Sequence, residues 1–118
     1  MRVSVTAISV LAAIAIAAPA AAHHGWSTYQ SNQQQDVTGT VVDLKWEQPH
    51  AIVWIDRDGE RLEIWLSPLA RMVSRGLQRE DLSNGVTVTV DAQPSKSEGG
   101  EWKAQAITVG DETFDLMR

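Results

Sequence analysis

The chain has 118 residues, a formal net charge of −5 and no cysteine. One domain is the natural fit to that length, disulfides and Cys-ligated zinc or iron–sulfur sites are excluded, and the acidic balance argues against a nucleic-acid groove built on Lys and Arg. Hydrophobic residues at 43% and charged residues at 21% suit an ordinary globular domain, and five Trp against one Tyr and one Phe supply large rings with a polar edge for core or binding face.

Residues 1–22 have the pattern of a Sec-type signal peptide. Arg2 makes the positive start, Val3 to Ala18 is aliphatic and small, Pro19 ends any helix, and Ala20-x-Ala22 is a small-residue cleavage site. The apolar stretch is short of the roughly 20 residues a spanning helix needs, so no stable membrane span is expected after cleavage. The protein is expected in the periplasm or outside the cell. Cleavage after Ala22 makes His23 the first residue; cleavage after Ala20 places it third.

Residues 23–35 form a polar N-terminal arm, with Trp26 and Tyr29 to pin it if they find a surface. The domain proper is expected over 36–118. A first strand runs from Asp36 to Trp46. Val37, Gly39 and Val41 share one parity and Leu44 and Trp46 the other, so a bulge near Val42-Asp43 is expected to restore one inward face. Glu47-Gln48-Pro49 is a turn leading through His50 to a second strand, Ala51 to Asp56. Asp58-Gly59 marks a hairpin into a third strand, Arg61 to Leu66, which would set Trp65 across from Trp54.

Ser67 as N-cap and Pro68 at the first position predict a helix of two or three turns, with Leu69, Met72 and Val73 inward and Gly76 as its C-cap. A fourth strand follows at Val86 to Val90 and a fifth at Trp102 to Val109, the latter with Trp102, Ala104, Ala106 and Thr108 on one face. Thr113–Leu116 is a short edge strand. The order β-β-β-α-β-β predicts an all-β fold with one short helix, a small five-stranded OB-like barrel. A small open sandwich or SH3-like barrel is the alternative.

These residues carry a resemblance. The Ala-His-His end of the leader, Gly39-Thr40-Val41 running to Trp46, the Pro49-His50 turn, Ser67-Pro68-Leu69, Arg75-Gly76 and Asn84-Gly85-Val86-Thr87-Val88 resemble a family of small exported bacterial proteins of unknown function. Gln48 stands where that family usually has Asn, and Asp91 where it often has Gly. The resemblance implies an exported OB-like domain with no established activity.

Three residues point to metal chemistry: His23, His24 and His50. A terminal amine with its own imidazole suits square-planar Cu(II), and the arrangement survives either cleavage site. Without Cys, and with Met72 on a helix face expected to be buried, Cu(II), zinc or nickel is favoured over Cu(I). Each histidine alone is more simply a polar junction or turn residue. The second expectation is a metal-free binding or adaptor module using Trp46, Trp54 and Tyr29 as an aromatic face for a small envelope ligand or partner protein, although core packing explains the same rings. No nucleophile elbow or phosphate loop is present. A non-enzymatic role is therefore expected, with a small copper oxidoreductase a distant third.

Overall fold

The computed structural model describes residues 26–117; the stretch 1–22 expected to be a signal peptide, His23 and His24 lie outside them. Six strands and one helix follow in chain order: β1 Gln35–Lys45, β2 Ile52–Arg57, β3 Glu60–Trp65, α1 Leu69–Ser74, β4 Thr87–Pro94, β5 Glu101–Val109 and β6 Glu112–Asp115. Antiparallel pairs join β1 to β2, β2 to β3, β1 to β4 and β4 to β5, and a parallel pair joins β3 to β5. The ring β1-β2-β3-β5-β4 closes a barrel of OB type, with α1 between β3 and β4. The edge strand β6 hangs on β5 outside the ring.

β1 belongs to both halves because it changes partner midway. Gln35 to Thr40 pairs with β4, and Thr40 to Lys45 with β2. The register shifts between Val41 and Asp43, which leaves the half-exposed Val42 as the bulged residue at the expected place. Gly39 permits the bend: a Cβ there would lie 2.7 Å from the Asp56 carbonyl oxygen, closer than a side chain tolerates. The β2–β3 turn has Asp58 at φ 53° and Gly59 at φ 85°, the left-handed pair that a two-residue type I′ hairpin requires.

The barrel interior is apolar. Val37, Val41, Val53, Ile55, Leu62, Ile64, Val88, Val90, Ala104 and Ile107 fill it, and Met72, Leu77 and Leu82 plug one side. Each Val, Leu, Ile and Met side chain among them contributes about 1.5–3 kcal/mol on leaving water.

Several sequence expectations shift in detail. The helix has six residues, fewer than two full turns. Ser67 does not cap it; Pro68 holds the N-cap position, and the buried Ser67 hydroxyl donates to the Leu116 carbonyl oxygen, tying the C-terminal segment to the helix entry. Val73 is 55% exposed, because a helix this short turns only Met72 fully inward. Its end is as expected: Gly76 at φ 88° lets Leu77 N–H reach Met72 O at 3.0 Å and Gly76 N–H reach Val73 O at 3.0 Å, a Schellman motif. β4 continues four residues beyond Val90. A register irregularity opposite Asp91 and Ala92 leaves Gln105 unpaired in β5, so the inward series runs Trp102, Ala104, Ile107, and Ala106 and Thr108 lie on the other face.

Candidate functional site

The arm is docked on the chain between β4 and β5. Gln30 N–H donates to Pro94 O at 2.9 Å, Lys96 N–H donates to Thr28 O at 3.0 Å, and Tyr29 bridges to Ser95. The Lys96 ammonium adds a bond to Ser27 O at 2.8 Å. Short 3-10 turns at Trp26–Thr28 and Ser31–Gln33 flank this contact. Both aromatics of the arm thus find a surface.

That surface is the outer side of the β3–β5 seam. The parallel register puts Glu63 beside Glu101 and Trp65 beside Lys103, while the intervening Ile64 and Trp102 point into the barrel. Above this row sits Tyr29, 2% exposed, whose hydroxyl donates to Glu101 Oε2 at 3.2 Å. Trp65 Nε1–H donates to Glu63 Oε2 at 3.1 Å. Burial pushes the Tyr29 hydroxyl well above its ordinary pKa, and the Glu101 carboxylate, then Glu63, add to the shift.

Lys103 is 7% exposed, and its Nζ lies 5.1 Å from the Trp26 ring centroid, a cation–π distance. Burial lowers its pKa, with the nearby Arg71 charge in the same direction and Glu101 opposing. Gln93 lies directly opposite Lys103 on β4 and is equally buried. A chain of amides fixes its orientation. Asp91 only accepts, so Gln34 Nε2 must donate to it at 2.9 Å; Gln34 Oε1 then accepts from Gln93 Nε2 at 3.1 Å. Gln93 Oε1 is left as a buried acceptor with no hydrogen bond among the described residues.

His50 stands at the end of the same row. It is half-buried, and its ring meets Trp65 edge-on at 6.3 Å between centroids and 61° between planes. Trp26, Lys103, Trp65 and His50 therefore form one continuous strip. His24 and His23 are two and three residues before Trp26. Both lie outside the described residues. Among the described residues no three His, Asp or Glu side chains converge as a metal-binding group.

The aromatic trio Trp46, Trp54 and Tyr29 is not brought together. Tyr29 is buried between the arm and the β3–β5 seam, Trp46 packs against the core, and Trp54 lies on the outer β2–β3 face with the Arg61 guanidinium 5.6 Å from its ring. Trp65 is not directly across from Trp54 as the sequence suggested. The hairpin register pairs Trp65 with Ile52 and Trp54 with Glu63, so the two indoles are diagonal neighbours. A separate open cleft of about 510 Å³ is lined by Asp43, Leu44, Arg79, Glu80, Leu82, Ser83 and Asn84, none of them a histidine or an aromatic residue.

A family defined by sequence matches residues 10–112, and it carries the description family of unknown function (DUF6152). The chain belongs to this family. The match begins within residues 1–22 and runs through β1 to the start of β6, so the arm, the Pro49-His50 turn and the β3–β5 seam all fall inside what DUF6152 members share as a domain. No curated protein matches the chain.

The residues that inspection of the sequence missed are Glu63, Glu101, Lys103 and Gln93. Glu and Lys alternating with apolar residues on a strand look like a wet outer face. Only the two polar aromatics of the arm, Trp26 and Tyr29, hinted that part of this face would be covered.

Proposed function

We propose that the processed protein is an exported OB-like module that binds Cu(II) through His23, His24 and His50, serving metal handling or sensing rather than catalysis. One observation carries this reading: the arm doubles back, so that Trp26 lies on Lys103, beside the Trp65 ring that meets His50. Without that return a terminal chelate and a turn histidine have no reason to cooperate. A terminal amine with imidazoles is a nitrogen-rich donor set suited to Cu(II), with zinc and nickel as the other metals imidazole serves.

Copper titration of the chain beginning at His23 tests this. The expected result is a one-to-one complex. His50→Ala or His23→Ala raises its Kd more than about 100-fold, since losing outer-shell partners alone costs 10–100-fold. A tag placed before His23 is expected to weaken it similarly, because the terminal amine is then an amide. Weak binding without defined stoichiometry, unchanged in these variants, would sink the proposal. A metal-free binding role draws support from Trp54 and Arg61 on the outer β2–β3 face, the side that OB barrels use for ligands. It gains ground if copper binding is absent.

A further inference from the structure

We propose that the open cleft between the β1 bulge and the 3-10 turn Arg79–Leu82 binds a small zwitterion: a free α-amino acid or short peptide with an aliphatic side chain. This goes beyond the copper reading and does not depend on it, since no histidine lines the cleft.

The walls are set by main chain. Strict alternation after Val37, Gly39 and Val41 would send Asp43 into the barrel and Leu44 out to solvent. The register shift between Val41 and Asp43 exchanges them, so Asp43 is exposed and Leu44 lies half-buried against the core. The facing wall is clasped to β1 just before that shift. Gly85 N–H donates to Val41 O and Val41 N–H donates to Val86 O, both at 2.8 Å. The 3-10 turn is tied at both ends: Gln78 N–H donates to Asp81 Oδ2 at 2.8 Å, and the Ser83 hydroxyl donates to Glu80 O at 2.7 Å. The space between the walls, about 510 Å³, falls within the roughly 300–1,000 Å³ of small-molecule sites.

The side chains around this space are uncommitted. Among the described residues, the Arg79 guanidinium, the Glu80 carboxylate and the Asn84 amide make no ion pair and no side-chain hydrogen bond. Arg79 and Glu80 are sequence neighbours of opposite charge, yet they do not pair. Asp43 accepts from Leu44 N–H at 2.8 Å and meets Arg61 at 3.4 Å in an exposed pair, which leaves its carboxylate with acceptor capacity to spare. Leu44 and the fully buried Leu82 supply an apolar floor.

A ligand that satisfies this set carries both signs of charge. Its carboxylate takes the paired N–H groups of Arg79, with the Asn84 amide as a further donor. Its ammonium donates to Glu80 and Asp43. Its aliphatic side chain covers Leu44 and Leu82. A plain anion would face two carboxylates, and a plain cation would face the guanidinium.

The test is an NMR titration of the backbone amides in the metal-free chain beginning at His23. The probes are L-leucine and leucyl-leucine, beside N-acetyl-leucine, which lacks the ammonium, and leucinamide, which lacks the carboxylate. Saturable shifts at Asp43, Leu44, Ser83 and Asn84 are expected with a zwitterion, and the lower Kd of the two separates a free amino acid from a peptide. Each blocked form is expected to bind at least about tenfold more weakly, the cost of one charge-assisted hydrogen bond. Arg79→Gln and Glu80→Gln are each expected to weaken the zwitterion by a similar factor. Both residues are exposed, so the remaining amide spectrum should be unchanged. Arg75→Gln, outside the cleft, is expected to leave the Kd as it is. The absence of saturable shifts with both zwitterions overturns the proposal. So does a blocked form that binds as well as L-leucine, or a Kd unmoved in Arg79→Gln and Glu80→Gln.

Discussion

Two regions of this protein are out of water, and they are built on opposite plans. Inside the barrel, Val53, Ile55, Ile64, Leu66 and Ile107 are all at 0% exposure and all aliphatic. Where the arm meets the barrel, the buried set is Tyr29 of the arm with Gln93 and Lys103 of the sheet, and carboxylates of Glu63 and Glu101 alongside. The interior gains from every group it buries. The region under the arm holds a lysine whose charge is disfavoured there and an amide oxygen without a donor. Burial alone favours apolar residues at those positions, so the contrast separates a covered seam of polar groups from an apolar core.

The comparison is open to experiment, and the largest effect belongs to the interior. Ile64→Ala on β3 is expected to cost about 3 kcal/mol in urea unfolding, because it removes three carbons from a fully buried position that cannot collapse. An effect below about 1 kcal/mol would mean the barrel is loosely packed and the contrast false.

Next comes the seam. Tyr29→Phe removes the hydroxyl bond to Glu101 and is expected to cost about 1 kcal/mol at pH 7. The pH dependence has a definite sign. Tyr29 titrates higher folded than unfolded, so the folded state keeps its proton above pH 10.0 while the unfolded chain releases it; stability falls as pH rises past 10.0. Lys103 titrates lower folded than unfolded, so below 10.5 the unfolded chain holds more protons, and stability rises with pH as the folded lysine loses its charge. Equilibrium unfolding across pH 8 to about 11 is expected to lose the fall in Tyr29→Phe and the rise in Lys103→Met. Identical profiles in both variants and the wild type would remove the electrostatic side of the comparison.

The smallest effect lies on the β1–β4 face. Asp36 and Asp91 are directly opposite, and the Asp91 carboxyl is held above its ordinary pKa by burial first and Asp36 second, against the Gln34 bond. Asp36→Asn is expected to stabilise the protein by about 0.5 kcal/mol at pH 7. The gain should fade as pH falls and Asp91 takes up its proton. No gain at neutral pH would show that solvent screens the pair.

Much of this could be anticipated residue by residue. Val37, Gly39 and Val41 against Leu44 and Trp46 required a bulge, and Val42 is the bulged residue. Asp58-Gly59 required a tight hairpin, and Gly76 a helix end. The misplaced features were those set by distant partners. Ser67 is a plausible cap until the Leu116 carbonyl, 49 residues away, takes its hydroxyl. Ala106 continues an alternation until the irregularity opposite Asp91 and Ala92 reverses it.

By itself, the sequence determined the element order, the turn types and the positions of the three histidines, because periodicity and φ preference act over a few residues. Tertiary structure alone decided that β3 meets β5, and therefore that Glu63, Glu101, Trp65 and Lys103 share one row beneath Trp26 and Tyr29. The Tyr29 bond to Glu101 that covers this row joins residues 72 positions apart. No local pattern encodes it, since an outward-facing lysine on a strand looks the same whether water or an indole lies above it.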